Sequence, residues 1–180
     1  MSGLSPTEEK FEEHIEKHMF SVGYTSTDFH EYDRSLCLIK DQVIDFIKTT
    51  QPEKWERLTE IYDLGTENKI LSRISSEVSK RGIVDVLRNP VVDRGVYLNL
   101  CYFEPKSDLN PEHLKLFQSN RFTVMRQLHY SNQNENSIDM GLFLNGLPIV
   151  TMELKNQLTG QNVKHSQNQY RNDRDPREPL

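Results

Sequence analysis

NSIDMGLFLNGLPIVTMELKNQ, residues 136–157, is the stretch whose reading decides the fold. Two apolar runs, Ile138 to Leu144 and Ile149 onward to Lys155, flank Asn145-Gly146. Asn-Gly between apolar runs is the strongest short-range signal for a β-hairpin, because both residues tolerate the positive φ that a tight turn requires. Residues i and i+2 on a strand share a face, so Glu153 and Lys155 should project to one side, with Thr151 behind them. Asp139 lies on the outgoing limb.

The register of this hairpin carries a condition. In a two-residue turn Leu144 pairs with Leu147, Asp139 faces Met152, and Glu153 points away from Asp139. A three-residue loop, Asn145 to Leu147, sets Asp139 opposite Glu153 with Lys155 as its diagonal neighbour. A bulge in either strand does the same, since a one-residue slip reverses every side chain. Pro148 cannot donate to a ladder and favours the longer loop. The expectation is that Asp139 and Glu153 share a face.

Outward from the hairpin, the first half of the chain reads as helical. Phe11, Ile15, Met19 and Val22 recur at helical spacing in a first helix over 7–22, which Gly23 ends. Residues 35–49 carry Leu36, Ile39, Val43, Ile44 and Ile47 as a second stripe. Pro52 opens a third helix with Trp55, Leu58, Ile61 and Tyr62, and residues 66–80 form a fourth, ended by Gly82. The region 35–81 thus reads as a helical elaboration inserted after the first helix. Residues 95–175 read as a β-rich core with a following helix: strands over 96–103, 121–130 and the hairpin, a short helix capped by Asn110 with Pro111, and a last helix from Gln161 to about Arg174. The whole is one α/β (α+β) domain with a mixed β-sheet flanked by helices.

With 35% hydrophobic residues the chain can build a core, and its net charge of −5 excludes a uniformly basic nucleic-acid binder. Cys37 and Cys101 sit in apolar surroundings and read as reduced core residues. There is no membrane-length apolar run, no signal peptide and no P-loop sequence, so a cytoplasmic location is expected. His14 and His18 stand four residues apart but have no third soft ligand nearby and read as helix surface. The chain stops at Arg-Glu-Pro-Leu without a closing element, as a fragment of something longer would.

Asp139 and Glu153 supply two hard oxygen ligands of the kind that Mg²⁺ or Mn²⁺ prefers, and Lys155 could position water and offset charge on a phosphate. The letters alone carry little: E-x-K recurs at Glu8/Lys10, Glu67/Lys69 and Glu104/Lys106, and a solvated hairpin face with a cross-strand acid–lysine pair is the commoner outcome of such spacing. Only Glu153 and Lys155 continue an apolar strand.

The stretches FEEHIEKHM, QPEKWERLTEIY, RGIVDVLRNPVVDRGVYLNLCYF, LNPEHLKLFQSNRFTVMRQLHYS, DMGLFLNGLPIVTMELKNQLTG and QYRNDRDPREPL run over nearly the whole chain. They closely resemble the N-terminal nuclease region of the restriction, or motor, subunit of type I restriction–modification enzymes. The NGLP turn followed by Glu-Leu-Lys is the most specific element. The resemblance implies a PD-(D/E)xK nuclease with a restriction-endonuclease-like core, in which Asp139, Glu153 and Lys155 take the metal-binding and catalytic roles. It also implies a supporting glutamate on the first helix, best matched by Glu12. The family's Q-x-x-x-Y motif is not kept: no Gln in Ser166 to Asp173 has a Tyr four residues on, so Gln169 or Gln167 would fill the glutamine's place. Lys164, His165, Arg171, Arg174 and Arg177 follow the site and could contact DNA phosphates, though a helix end favours basic residues on its own account.

By the same resemblance the partners are double-stranded DNA and the methylation and specificity subunits. ATP would be used by motor domains of the full-length subunit, not by this region. Two other readings stay open from the residues: a non-catalytic DNA-binding or subunit-docking module on a nuclease-like scaffold, and a stand-alone repair-type nuclease.

Overall fold

The structure, a computed structural model, describes residues 6–107, 109–155, 163–168, 171 and 180. Helix α1 (Pro6–Ser21) leads through Gly23, at φ 97°, into β1 (Thr25–Ser26). A two-stranded hairpin follows, β2 (Tyr32–Asp33) with β3 (Leu38–Ile39), and then helices α2 (Lys40–Thr50), α3 (Pro52–Tyr62), α4 (Thr66–Arg81) and α5 (Ile83–Arg88). A second small hairpin, β4 (Val91–Asp93) with β5 (Val96–Leu98), precedes α6 (Pro111–Gln118). Strands β6 (Phe122–His129), β7 (Ser137–Leu144) and β8 (Leu147–Met152) are followed by α7 (Val163–Asn168). No described helix is long and apolar enough to cross a membrane.

The central sheet runs β1-β6-β7-β8, with β1 parallel to β6 and the other pairs antiparallel, so the fold is α+β with a mixed sheet flanked by helices. One face packs Val124, Met140 and Leu142 against Ile15 and Met19 of α1. The other packs Met125, Leu128, Ile138 and Phe143 against Tyr32, Cys37 and Ile39 of the first small hairpin. Both cysteines are buried thiols rather than halves of a disulfide.

Helices α2 to α5 and the β4–β5 hairpin share one core with Leu147, at the tip of β8. The elaboration therefore packs on the turn end of the β7–β8 hairpin, where Ile39 N–H donates to Gly146 O at 2.9 Å. The strand expected over 96–103 is short and pairs with β4 rather than joining the central sheet.

The helix expected from residue 35 starts at Lys40. Asp33 Oδ1 accepts the N–H groups of Ser35 (3.0 Å) and Leu36 (3.1 Å), and Cys37 sits at φ 56°, so the side chain captures the backbone in a turn before a helix can form. Leu38 and Ile39 are core residues, but as a strand. Helix α6 follows expectation: Asn110 Oδ1 caps Glu112 N–H at 3.0 Å, with Pro111 in the first turn.

The first helix is rotated from its expected face. Phe11 is 44% exposed and Val22 59%, whereas Glu12 is 1% exposed. The face toward the sheet is Glu12, Ile15, Glu16 and Met19, because the sheet meets α1 with a cation, Arg126.

The hairpin turn also differs from the longer loop that Pro148 favoured. Leu144 pairs with Leu147 across a two-residue Asn145-Gly146 turn. That closing pair is the hydrogen-bonded one, so the nitrogen of Pro148 points away from β7. Among the described residues β8 is the edge strand, where a missing N–H leaves no ladder bond unmade.

Candidate active site

The extra residue the site needs is a bulge inside β8. Phe143 pairs with Pro148 and Leu142 with Val150, which leaves Ile149 without a partner. From there the register runs Gly141 to Thr151 and Met140 to Met152. Continued by one step, it sets Asp139 opposite Glu153. The ladder stops at Met152, and Glu153 to Lys155 extend past the strand end rather than inside it.

Three observations bring the acids together. Leu154 N–H donates to Asp139 Oδ2 at 2.5 Å, which ties the tail of β8 to β7. Lys155 Nζ lies 3.2 Å from Glu153 Oε1, with the two side chains 16% and 3% exposed, so both project to one protected side. The Asp139 carboxyl is pushed up to about 6, by burial first; the Leu154 bond and Lys155 oppose the rise, while Glu153 and Glu12 add to it.

Glu12, from α1, lies within electrostatic reach of Asp139. Its Oε2 accepts from Arg126 Nε (3.1 Å) and its Oε1 from Gln127 Nε2 (2.9 Å). Burial raises its carboxyl above the usual range, and Arg126 and Gln127 pull it back. Neither Arg126 nor Gln127 was singled out in the sequence. The available signal was two adjacent polar residues in the middle of the apolar strand FTVMRQLHY, where alternation allows one.

The E-x-K copy at Glu67 and Lys69 has no such convergence. On α4, Glu67 binds Lys48 at 2.7 Å, while Lys69 turns to the carbonyl of Leu64 at 3.0 Å. Of the residues after the site, Lys164, His165 and Gln167 are exposed on α7, and Arg171 is exposed beyond it. Gln169, Arg174 and Arg177 lie outside the described residues. His14 and His18 are exposed on α1.

The oxygens of Asp139 and Glu153 fit a small hard cation, which relieves the crowding of two protected carboxylates. Among the described residues no three His, Cys, Asp or Glu side chains come close enough to hold one ion. A two-carboxylate site suits Mg²⁺, which keeps several waters.

The family model of the type I restriction enzyme R protein N terminus matches residues 6–179. No curated protein and no solved structure matches the chain. The match spans nearly the whole length, hairpin and acids included, and the chain belongs to the family of type I restriction enzyme R protein N termini.

Proposed function

We propose that this domain is a metal-dependent DNA endonuclease with a restriction-endonuclease-like core, working within a type I restriction–modification enzyme. The observation that carries the reading is the meeting of Asp139, Glu153 and Lys155 at the open end of the β7–β8 hairpin. Such a cluster on a polar hairpin face is not explained by an exposed cross-strand pair, because Glu153 is almost fully covered.

In this reading Asp139 and Glu153 hold Mg²⁺, or Mn²⁺ in its place. The bound ion supplies Lewis-acid polarisation of the phosphate and lowers the pKa of a water. Lys155 hydrogen-bonds the attacking water and offsets charge on the scissile phosphate. The Leu154 amide holds the Asp139 carboxylate in one orientation. Glu12 supports the site from α1. Lys164, Arg171 and Arg174 contact the DNA backbone, and Gln169 or Gln167 takes the supporting part of the family's motif glutamine. The methylation and specificity subunits are the partners, ATP is used by motor domains outside this region, and the assembly acts in the cytoplasm.

A non-catalytic docking module needs no convergence of these three side chains, so their meeting favours catalysis. The test is Mg²⁺-dependent cleavage of plasmid by the intact assembly carrying Glu153→Ala or Lys155→Ala, with ATP hydrolysis measured alongside. Loss of cleavage with ATP hydrolysis retained is expected. A variant that cuts as well as the parent overturns the assignment.

A further inference from the structure

Successive side chains on a regular strand point to opposite faces, yet Arg126 and Gln127 grip the same carboxylate. They can do so because Gln127 sits at φ 49° and drops out of the β6–β7 ladder, between the pairs Arg126–Met140 and Leu128–Ile138. A left-handed glutamine inside a strand is a strained conformation, and such strain gathers where a site needs it. The position opposite Gln127 in this ladder is Asp139.

Fastening α1 to the sheet does not require that strain. Arg126 alone reaches both Glu12 (3.1 Å) and Glu16 (3.7 Å). The second donor is built with care: Ser137 Oγ donates to Gln127 Oε1 at 3.2 Å, which turns the amide so that Nε2 faces Glu12.

We propose that Arg126 and Gln127 are a positioning pair, which holds the Glu12 carboxylate toward Asp139 as an acceptor for water around the bound cation rather than as a direct ligand. This rests on the metal reading of Asp139 and Glu153 given above. Each Glu12 oxygen already accepts one donor. No third acid comes close enough to share an ion directly among the described residues.

The test uses Gln127→Gly in the full chain. Glycine adopts φ 49° freely, so this change removes the amide while relieving the backbone. Mn²⁺ binding is measured by calorimetry without DNA, beside thermal unfolding in chelator. A positioning role predicts Mn²⁺ affinity about tenfold weaker in a chain that still unfolds cooperatively well above the assay temperature, as outer-shell losses commonly give. Glu12→Gln should weaken binding similarly, and the double variant should be no worse than Glu12→Gln alone, because Gln127 acts through Glu12. Gln127→Gly binding Mn²⁺ within twofold of the parent overturns the positioning role and leaves the metal reading standing. A parent chain that binds no Mn²⁺, with Asp139→Asn as the reference, overturns both.

Discussion

The amide of Leu154 donates to Oδ2 of Asp139 across the open end of the hairpin, 15 residues apart in the chain. This contact forms only when β8 carries its extra residue at Ile149, because a regular ladder would bring Met152 to Asp139. It also holds Asp139 in protected surroundings beside Glu153, with consequences that can be measured.

The first concerns pH. The Asp139 carboxyl titrates at about 6 in the fold against 3.8 for an ordinary aspartate. The fold therefore favours the protonated form: its contribution to stability is full below about pH 3.8 and is lost as pH rises through about 6. Asp139→Asn removes the loss. In chelator the variant should be more stable than the parent at pH 8, by about 1–2 kcal/mol after discounting for solvent screening. The difference should vanish near pH 4. Saturating Mg²⁺ should reverse the ranking, since the ion stabilises only the chain that binds it. Thermal unfolding across pH 4–8 checks this, and a parent as stable as the variant at pH 8 without metal contradicts it.

Lys155 separates metal binding from chemistry. Its ammonium lies 3.2 Å from Glu153 Oε1, where it competes with a cation. Lys155→Met should leave Mn²⁺ affinity unchanged or tighter, while plasmid cleavage falls by about 100-fold or more. Calorimetry and cleavage assays on the same preparation decide it. Joint loss of both would mean that Lys155 organises the acids rather than the reaction.

Asn145 does more than turn the chain. At φ 52° it suits the turn, but its side chain also accepts from Arg121 N–H (2.7 Å) and donates to Leu100 O (2.9 Å) and Asn120 Oδ1 (3.0 Å). Asn145→Gly keeps the turn geometry and strands those partners. A loss of about 2–3 kcal/mol is expected in denaturant unfolding. A loss below half a kcal/mol would show that only the turn matters.

Gly146 is held by its neighbours as well as by its φ of 83°. A Cβ there would lie 2.5 Å from Ile39 O and 2.8 Å from Val43 Cγ2. Gly146→Ala should destabilise the chain by about 2–4 kcal/mol and loosen the seat of α2 on the hairpin. Hydrogen exchange at Ile39 N–H, which donates to Gly146 O, would rise with it.

The elements legible in the sequence were those set by neighbours a few residues apart. Asn145-Gly146 turned the chain as its backbone preferences require, Asn110 and Pro111 opened α6, and the i, i+2 spacing put Lys155 beside Glu153. Residues 35–39 misled because a helical spacing of apolar side chains says nothing of Asp33, whose carboxylate takes the amides first. Pro148 misled because the side on which its nitrogen lies depends on which pair closes the turn.

Determined by the sequence alone were the hairpin, the shared side of Glu153 and Lys155 and the helical character of the first half, all effects that act within a turn or two of backbone. The tertiary structure decided the bulge at Ile149, and with it the meeting of Asp139 and Glu153, and also the burial of Glu12, whose partners Arg126 and Gln127 lie 114 and 115 residues away. Register and charge burial depend on what packs across the sheet, and that is settled by long-range contacts that no local pattern encodes.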